Sequence, residues 1–334
     1  MPELSALLQA LSTPKAYPHN PQEVELVHTH ISVVFLAGNY VYKVKKPVDF
    51  GFLDFTTLDK RRFYCHQEVV LNRRLCPDAY LGVVAITQDG DNLSVEGSGR
   101  EVEYAVKMRP LPHQRMMDTL LQSNQVTPEM MERVAERLAE FHRQAEISEQ
   151  QASIGGLDTV MQNTKENFVQ TEDYVNQTIT PEQYEKLKNY NYSFLERNAG
   201  LFAKRVTEGR IRDCHGDLHA AHICFNNGLC IYDCIEFNDR FRYIDVASEI
   251  AFLAMDLDFH GRPDLSKHFV DAYVKASGDE ELLTLLDFYK CYRAYVRGKV
   301  EGFKLDDLHI SEEEKTRTLA VARRYFELAE SYTM

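Results

Sequence analysis

Apolar and polar residues alternate with a period of two from Val24 to Lys46, in VELVHTHISVVFLAGNYVYKVKK. That pattern predicts half-buried β-strands, and Gly38-Asn39 supplies the chemistry of a hairpin turn between two of them. From Leu58 to Leu75 the period lengthens to that of a helix. Two more strands are expected over Leu81 to Thr87 and Glu101 to Met108, separated by the turn-rich QDGDNLSVEGSGR. The first third therefore reads as a small antiparallel sheet with one helix. Ahead of it, MPELSALLQALSTPKAY has no basic start and no continuous apolar run, so it reads as a short amphipathic helix rather than a signal peptide.

Beyond the linker Met108 to Leu121 the helical period dominates. Thr127-Pro128-Glu129 combines an N-cap, a first-turn proline and an early acid, and Met131, Val134, Leu138 and Phe141 follow at helical spacing. Thr180-Pro181-Glu182 repeats the signal and starts a long helix expected to end near Gly209. A hairpin follows, with strands His222 to Phe225 and Leu229 to Tyr232 and Asn227-Gly228 at its tip. Four further helices are expected over Asp245 to Asp258, Pro263 to Ala276, Glu280 to Lys304 and Glu312 to Ser331, the last behind a Ser311 to Glu314 capping box. The pattern gives an α+β chain: a β-rich part over 1–108, a linker over 109–121 and a helical part over 122–334 with one embedded hairpin.

Composition narrows the class. At 334 residues, 44% hydrophobic and 27% charged, the chain is that of a globular protein with room for two cores. No apolar run has the length that spans a bilayer, so no membrane partner is expected and the cytoplasm is the default location. A net charge of -13 argues against a nucleic-acid surface and suits a cationic small molecule, although acidity also serves solubility. Seven cysteines without a CxxC pair favour buried free thiols over a disulfide framework or a zinc ribbon.

The chemistry concentrates in HGDLHAAHICFNNGLCIYDCIEFND, residues 215–239. Phosphoryl transfer needs one carboxylate to orient the attacking hydroxyl and accept its proton, and another to hold a divalent metal against the phosphates. Asp217, in the loop before the hairpin, and Asp233, at the end of its second strand, suit those tasks, since the hairpin carries both to its open end. A competing reading makes His215, His219 and His222 metal ligands at i, i+4 and i+7 on a helix, with Asp217 or Asp233 completing a hydrolase site. Gly216 and the neighbouring strands weigh against a helix there.

The strings His215-Gly216-Asp217-Leu218-His219 and Ile231-Tyr232-Asp233 resemble the catalytic and metal-binding loops of the aminoglycoside phosphotransferase family, relatives of the protein kinases. The run CIEFNDRFRYIDVASEIAFLAMDLD also resembles an uncharacterised branch of that family, sometimes fused to a P-loop nucleotide-binding domain. The resemblance implies a protein-kinase-like bilobal fold and an ATP- and Mg2+-dependent kinase of a small-molecule hydroxyl, with GTP and Mn2+ as alternatives. It implies a phosphate-gripping lysine on the third strand, Lys43 ahead of Lys45, and Glu68 as its partner. Ser32, in the turn that stands where a glycine loop is expected, would cover the phosphates, and Met108-Arg109 would meet the adenine edge. Asp217 would be the catalytic base, with Asp233 and Glu236 holding the metal. His222 occupies the usual place of a magnesium-ligating asparagine; imidazole is a poor magnesium ligand, so it would donate to a phosphate oxygen instead. Asp245 would cap a helix or brace the catalytic loop. Loss of that asparagine and of the glycine loop leaves a second reading open, a nucleotide-binding module of kinase fold that transfers nothing.

Overall fold

A computed structural model describes residues 4–226, 228–307 and 310–334. The chain divides into two compact units. One runs to Thr119 and adds His222–Asp239; the other comprises Leu120–Ala221 and Arg240 onward. The hairpin segment thus groups with the β-rich unit, whereas the boundary drawn from composition counts it with the helices.

In the β-rich unit, helix α1 (Leu4–Leu11) precedes strands β1 (Glu25–His28), β2 (Ser32–Ala37) and β3 (Tyr40–Lys45). Then come helix α2 (Leu58–Asn72) and strands β4 (Tyr80–Asp89), β5 (Asn92–Val95) and β6 (Arg100–Met108). The strands form one antiparallel sheet in the order β1-β2-β3-β6-β4-β5. Gly38 makes the β2–β3 turn at φ 63°, a conformation that favours glycine. Because side chains alternate across a strand, Phe35, Tyr42 and Ile86 pack with Leu7 and Leu11 in one core, while Val41, Tyr80 and Val106 pack with Cys65 and Val69 of α2 in another. Strand β5 lies inside the stretch read as turn-rich.

The same unit holds a short hairpin, β8 (Ile223–Cys224) with β9 (Cys230–Ile231). Its expected tip includes Asn227, which lies outside the described residues. Cys76 and Cys230 form a disulfide, with Cα atoms 4.6 Å apart. This corrects the expectation of free thiols alone. An odd cysteine count hides one pair whose partners are 154 residues apart in sequence. Cys65, Cys214, Cys224, Cys234 and Cys291 are buried thiols outside that bond.

The helical unit takes up the second half of α3 (Met117–Gln122), then α4 (Pro128–Gln144), α5 (Glu149–Ile154) and α6 (Leu157–Thr171). Helices α7 (Pro181–Arg197) and α8 (Ala199–Thr207) lead to strand β7 (Ile211–Asp213). After the short α9 (Asp239–Arg242), β10 (Tyr243–Asp245) pairs antiparallel with β7, and α10 (Val246–Phe259), α11 (Pro263–Ser277), α12 (Leu282–Phe303) and α13 (Glu312–Ser331) complete the unit. The Thr127 and Thr180 hydroxyls accept from the third residue inward, and Thr180 with Gln183 forms a full capping box. The single helix expected from Pro181 to Gly209 is two. Asn198 leaves helical geometry at φ -109°, ψ 15°, and serves as the end of one and the start of the next. Phe168, Leu187, Phe252, Met255, Tyr295 and Phe326 form the core around α10 and α12. Among the described residues no helix is long and apolar enough to cross a membrane.

Candidate active site

Charge gathers at one end of β3. Lys43 and Lys45, two residues apart and so on one face of the strand, both reach Glu68 of α2: Lys43 Nζ lies 2.9 Å from Oε1 and Lys45 Nζ 2.7 Å from Oε2. Lys43 also lies 2.5 Å from Asp233 Oδ1, and Lys45 pairs with Glu236. The two lysines differ in access. The Lys45 side chain is fully buried beside the Phe55 ring, whereas Lys43 is 13% exposed and its partner Asp233 is 39% exposed. The outer pair is therefore open to solutes and the inner pair is sealed.

Burial works against a charged amine at Lys43, but Asp233, Glu68 and Glu236 outweigh it and hold its pKa well above the ordinary value. Lys45 is raised in the same way, with burial opposed by Glu236 and Glu68. Glu68 is lowered, because Lys43 and Lys45 overcome its burial. Glu236 is raised: burial and the nearby Glu68 carboxylate exceed the relief from Lys45. With all five groups ionised, three carboxylates face two ammonium groups, leaving one net negative charge. A divalent cation meets favourable charge here, and carboxylate oxygen is the donor a hard cation prefers. Asp233 is the accessible donor. Glu236 is turned inward on Lys45.

The position of Asp233 is imposed by its surroundings. It has φ 63°, unusual for a residue with a side chain. Its N–H donates to the Tyr80 hydroxyl at 3.2 Å, and the next N–H, that of Cys234, donates to Asn72 Oδ1 at 2.8 Å. The Cys76–Cys230 bond and the Ile231 N–H on the Leu75 carbonyl tie the hairpin to the end of α2, the helix that carries Glu68. His222 Nε2 lies 3.6 Å from Asp233 Oδ2. Ser32 is fully buried with an unpartnered hydroxyl, Met108 is buried at the end of β6, and Arg109 is exposed while its N–H donates to the Ala79 carbonyl.

Asp217 belongs to the helical unit, on an irregular loop after β7. Gly216 turns the chain at φ 87°. Glu249 of α10 holds the loop by its main chain: Oε1 accepts from the N–H groups of His215 and Gly216, each at 2.7 Å, and Oε2 pairs with His142 Nε2 at 2.7 Å. Burial raises the Glu249 pKa, but His142, His215 and the Gly216 N–H outweigh it and bring it to about 2. The Ala220 N–H donates to Asp256 Oδ2, and Arg293 donates to the Gly216 carbonyl at 3.4 Å. Asp217 itself remains 32% exposed, with His219 Nε2 3.6 Å from Oδ2.

His215 is fully buried, and its Nδ1 accepts from the Asp217 N–H at 3.3 Å. No helix runs through 215–219, so the spacing behind a three-histidine metal site does not apply. Asp245 caps α10 through the Ala247 N–H and takes a bidentate pair from Arg205, which also binds Asp279. Bracing the loop, the role the resemblance implied for Asp245, is done by Glu249. Its signal was legible: an acid inside the apolar run ASEIAFLAM must find a partner when buried. Tyr80 and Asn72, which fix Asp233, carried no comparable mark.

A family model described as the phosphotransferase enzyme family matches residues 76–289. Uncharacterized proteins of Mycobacterium tuberculosis and Mycobacterium bovis are each 34% identical to the chain over 279 residues, covering 83% of it and 54% of their own length. The chain thus spans about half the length of these curated relatives. Among solved structures, amicoumacin kinase hAmiN in complex with AMP-PNP, Ca2+ and Ami superposes with a TM-score of 0.55 at 11% identity, covering 98% of this chain and 94% of that one. Choline kinase LicA from Streptococcus pneumoniae gives 0.53 at 14% identity, covering 91% and 93%. A choline/ethanolamine kinase family protein from Mesorhizobium loti gives 0.51 at 11%, covering 98% and 99%. At such identities the likeness is one of fold, the kinase-like bilobal α+β fold that the sequence led us to expect.

Proposed function

The chain belongs to the phosphotransferase enzyme family, and from that premise we propose that it is a small-molecule kinase, moving the γ-phosphoryl group of ATP to a hydroxyl of its acceptor. The observation that carries this reading is the open ion-pair set Lys43, Glu68 and Asp233. It supplies a cation for phosphate and a carboxylate for metal, both in reach of solute. AMP-PNP and Ca2+ in the amicoumacin kinase support ATP with a divalent metal, for which Mg2+ is the physiological choice and Mn2+ and GTP are the alternatives to compare.

Lys43 binds the nucleotide phosphates, with Glu68 fixing its direction. Asp233 holds the metal, which supplies charge neutralisation on the phosphates. Glu236, kept inward by Lys45, adds negative charge behind Asp233 and lies a layer below the accessible donor. Asp217 orients the acceptor hydroxyl and takes its proton while the new oxygen–phosphorus bond forms and the bond to ADP breaks. The braced loop keeps the Asp217 carboxylate in one place, which is where most of the rate in such a reaction originates. His222, close to Asp233, donates to a phosphate oxygen.

One observation favours the non-transferring module instead: Lys43 and Asp233 neutralise each other directly. The two readings separate in an assay of full-length protein with γ-labelled ATP, Mg2+ and a metabolite extract. Labelled product that disappears with chelator supports the kinase. Tight Mg2+–ATP binding by calorimetry with no labelled product in any fraction contradicts it.

A further inference from the structure

Inside the helical unit a small pocket, with a cavity volume of about 30 Å³, is lined by α6, α9, β10, the start of α10 and α12. Its walls combine Tyr289 and Tyr292 with Asn163, Arg240, Arg293 and Asp245, whose carboxylate is already held by Arg205. Two of these side chains stand out, one for its charge and one for an unmet hydrogen bond. Arg293 is 7% exposed and meets the Ser248 carbonyl and hydroxyl, the Gly216 carbonyl at 3.4 Å and the Phe252 and Tyr292 rings; among the described residues no carboxylate pairs with it. Asn163 is 9% exposed, and its Oδ1 is buried without a hydrogen bond. A buried cation without an anion and a buried carbonyl without a donor are each unfavourable, and one ligand bearing both groups relieves both. Arg240 is different: Glu166 holds it by two bonds, at 2.9 and 2.7 Å.

The row continues towards the catalytic loop. Arg297 lies one helical turn beyond Arg293 on α12, about 5–6 Å along the axis, and its Nε is also buried without a partner. Burial works against the charge on Arg297, but Tyr325, Asp217 and Asp256 outweigh it, and Arg293 meets the Gly216 carbonyl beside Asp217, so the guanidinium row leads from the pocket to the acid proposed to receive the acceptor's proton.

We infer that this pocket binds the anionic group of the acceptor, so that the substrate is a small hydroxylated acid carrying a carboxylate or a phosphate ester, with a hydroxyl or amine donor beside it for Asn163. Guanidinium is suited to both anions because its fork matches their geminal oxygens. The inference rests on the kinase reading for the word acceptor. It replaces the cationic molecule that the net charge of -13 suggested, since total charge describes the surface and not one pocket.

The test is titration calorimetry of the full chain without nucleotide, using glycerate, glycerol 3-phosphate, glycerol and ethanolamine as probes, with phosphoryl transfer measured beside it. Saturable binding of either acid, at least tenfold tighter than glycerol or ethanolamine, is expected, and the better acid tells carboxylate from phosphate. Arg293→Gln should weaken it at least tenfold and Arg293→Lys less. Val160→Trp, which fills the pocket from its rim without touching the loop, should abolish it and guards against misfolding of the arginine variants. Equal binding of acids and glycerol, or acid binding unchanged in Val160→Trp, overturns the inference, as does an adventitious ion only, seen as weak binding indifferent to every variant. Acid binding that behaves as expected with no transfer leaves the pocket standing and removes the kinase reading. Transfer to a neutral or cationic alcohol with no acid binding does the reverse.

Discussion

The two units hold their parts of the proposed machinery by different means. In the β-rich unit, five charged side chains from β3, α2 and the segment after β9 neutralise one another, and the outer pair, Lys43 and Asp233, is open to solvent. In the helical unit the Asp217 loop is gripped by its main chain: a buried carboxylate takes two N–H groups, and a second carboxylate takes a third. Side-chain pairs exchange partners when ligands arrive, whereas buried backbone bonds do not. The first arrangement suits phosphates and metal that come and go, and the second suits a base that must stay where it is.

The contrast breaks most visibly at the lysines. Lys45→Met leaves Glu68 and Glu236 buried without the inner cation, and a loss of about 3–5 kcal/mol in denaturant unfolding is expected, enough to impair folding. Lys43→Met leaves Glu68 its inner partner and Asp233 its solvent, so stability should fall by no more than about 1–2 kcal/mol while ATP affinity falls at least tenfold. Equal destabilisation by the two substitutions would erase the distinction between a structural lysine and a ligand-binding one.

Next in size is the loop brace. The Glu249 pKa lies at about 2 against an ordinary 4.5. Because it is depressed in the folded state, its stabilising contribution is present above about pH 4.5 and lost as pH falls towards 2, with a full value of about 3 kcal/mol. Glu249→Gln should cost that amount near neutrality, and the gap from the parent should close in unfolding curves taken between pH 4.5 and 2. Turnover should fall with ATP affinity unchanged. A pH-independent gap would mean that the carboxylate's charge is not what holds the loop. Smallest is Thr180→Ala, which removes the α7 cap, touches neither arrangement and should cost about 1 kcal/mol with no change in ligand binding.

Much of this was legible in the residues. Period two from Val24 to Lys46 and the Thr-Pro-Glu signals at 127 and 180 gave the strands and helices at their places, because there each local preference agrees with burial. Alternation placed Lys43 and Lys45 on one face but could not rank them, since depth within a face is set by what packs above it: Phe55 comes from the irregular stretch after the strand, and Glu236 and the hairpin from distant sequence. The break at Asn198 was missed because a helical apolar period continues across it. The Cys76–Cys230 bond, the Tyr80 contact of Asp233 and the Asn72 contact of Cys234 were missed because they are chosen by the tertiary fold alone.

The most direct test of the division of labour between the two acids is ATP affinity, with and without Mg2+, in the parent chain, Asp217→Asn and Asp233→Ala. The account predicts that Asp217→Asn binds Mg2+–ATP within about twofold of the parent while its turnover drops by about a thousandfold or more, and that Asp233→Ala loses the magnesium-dependent part of binding. Equal loss of both properties in both variants, or magnesium dependence that survives in Asp233→Ala, would contradict it.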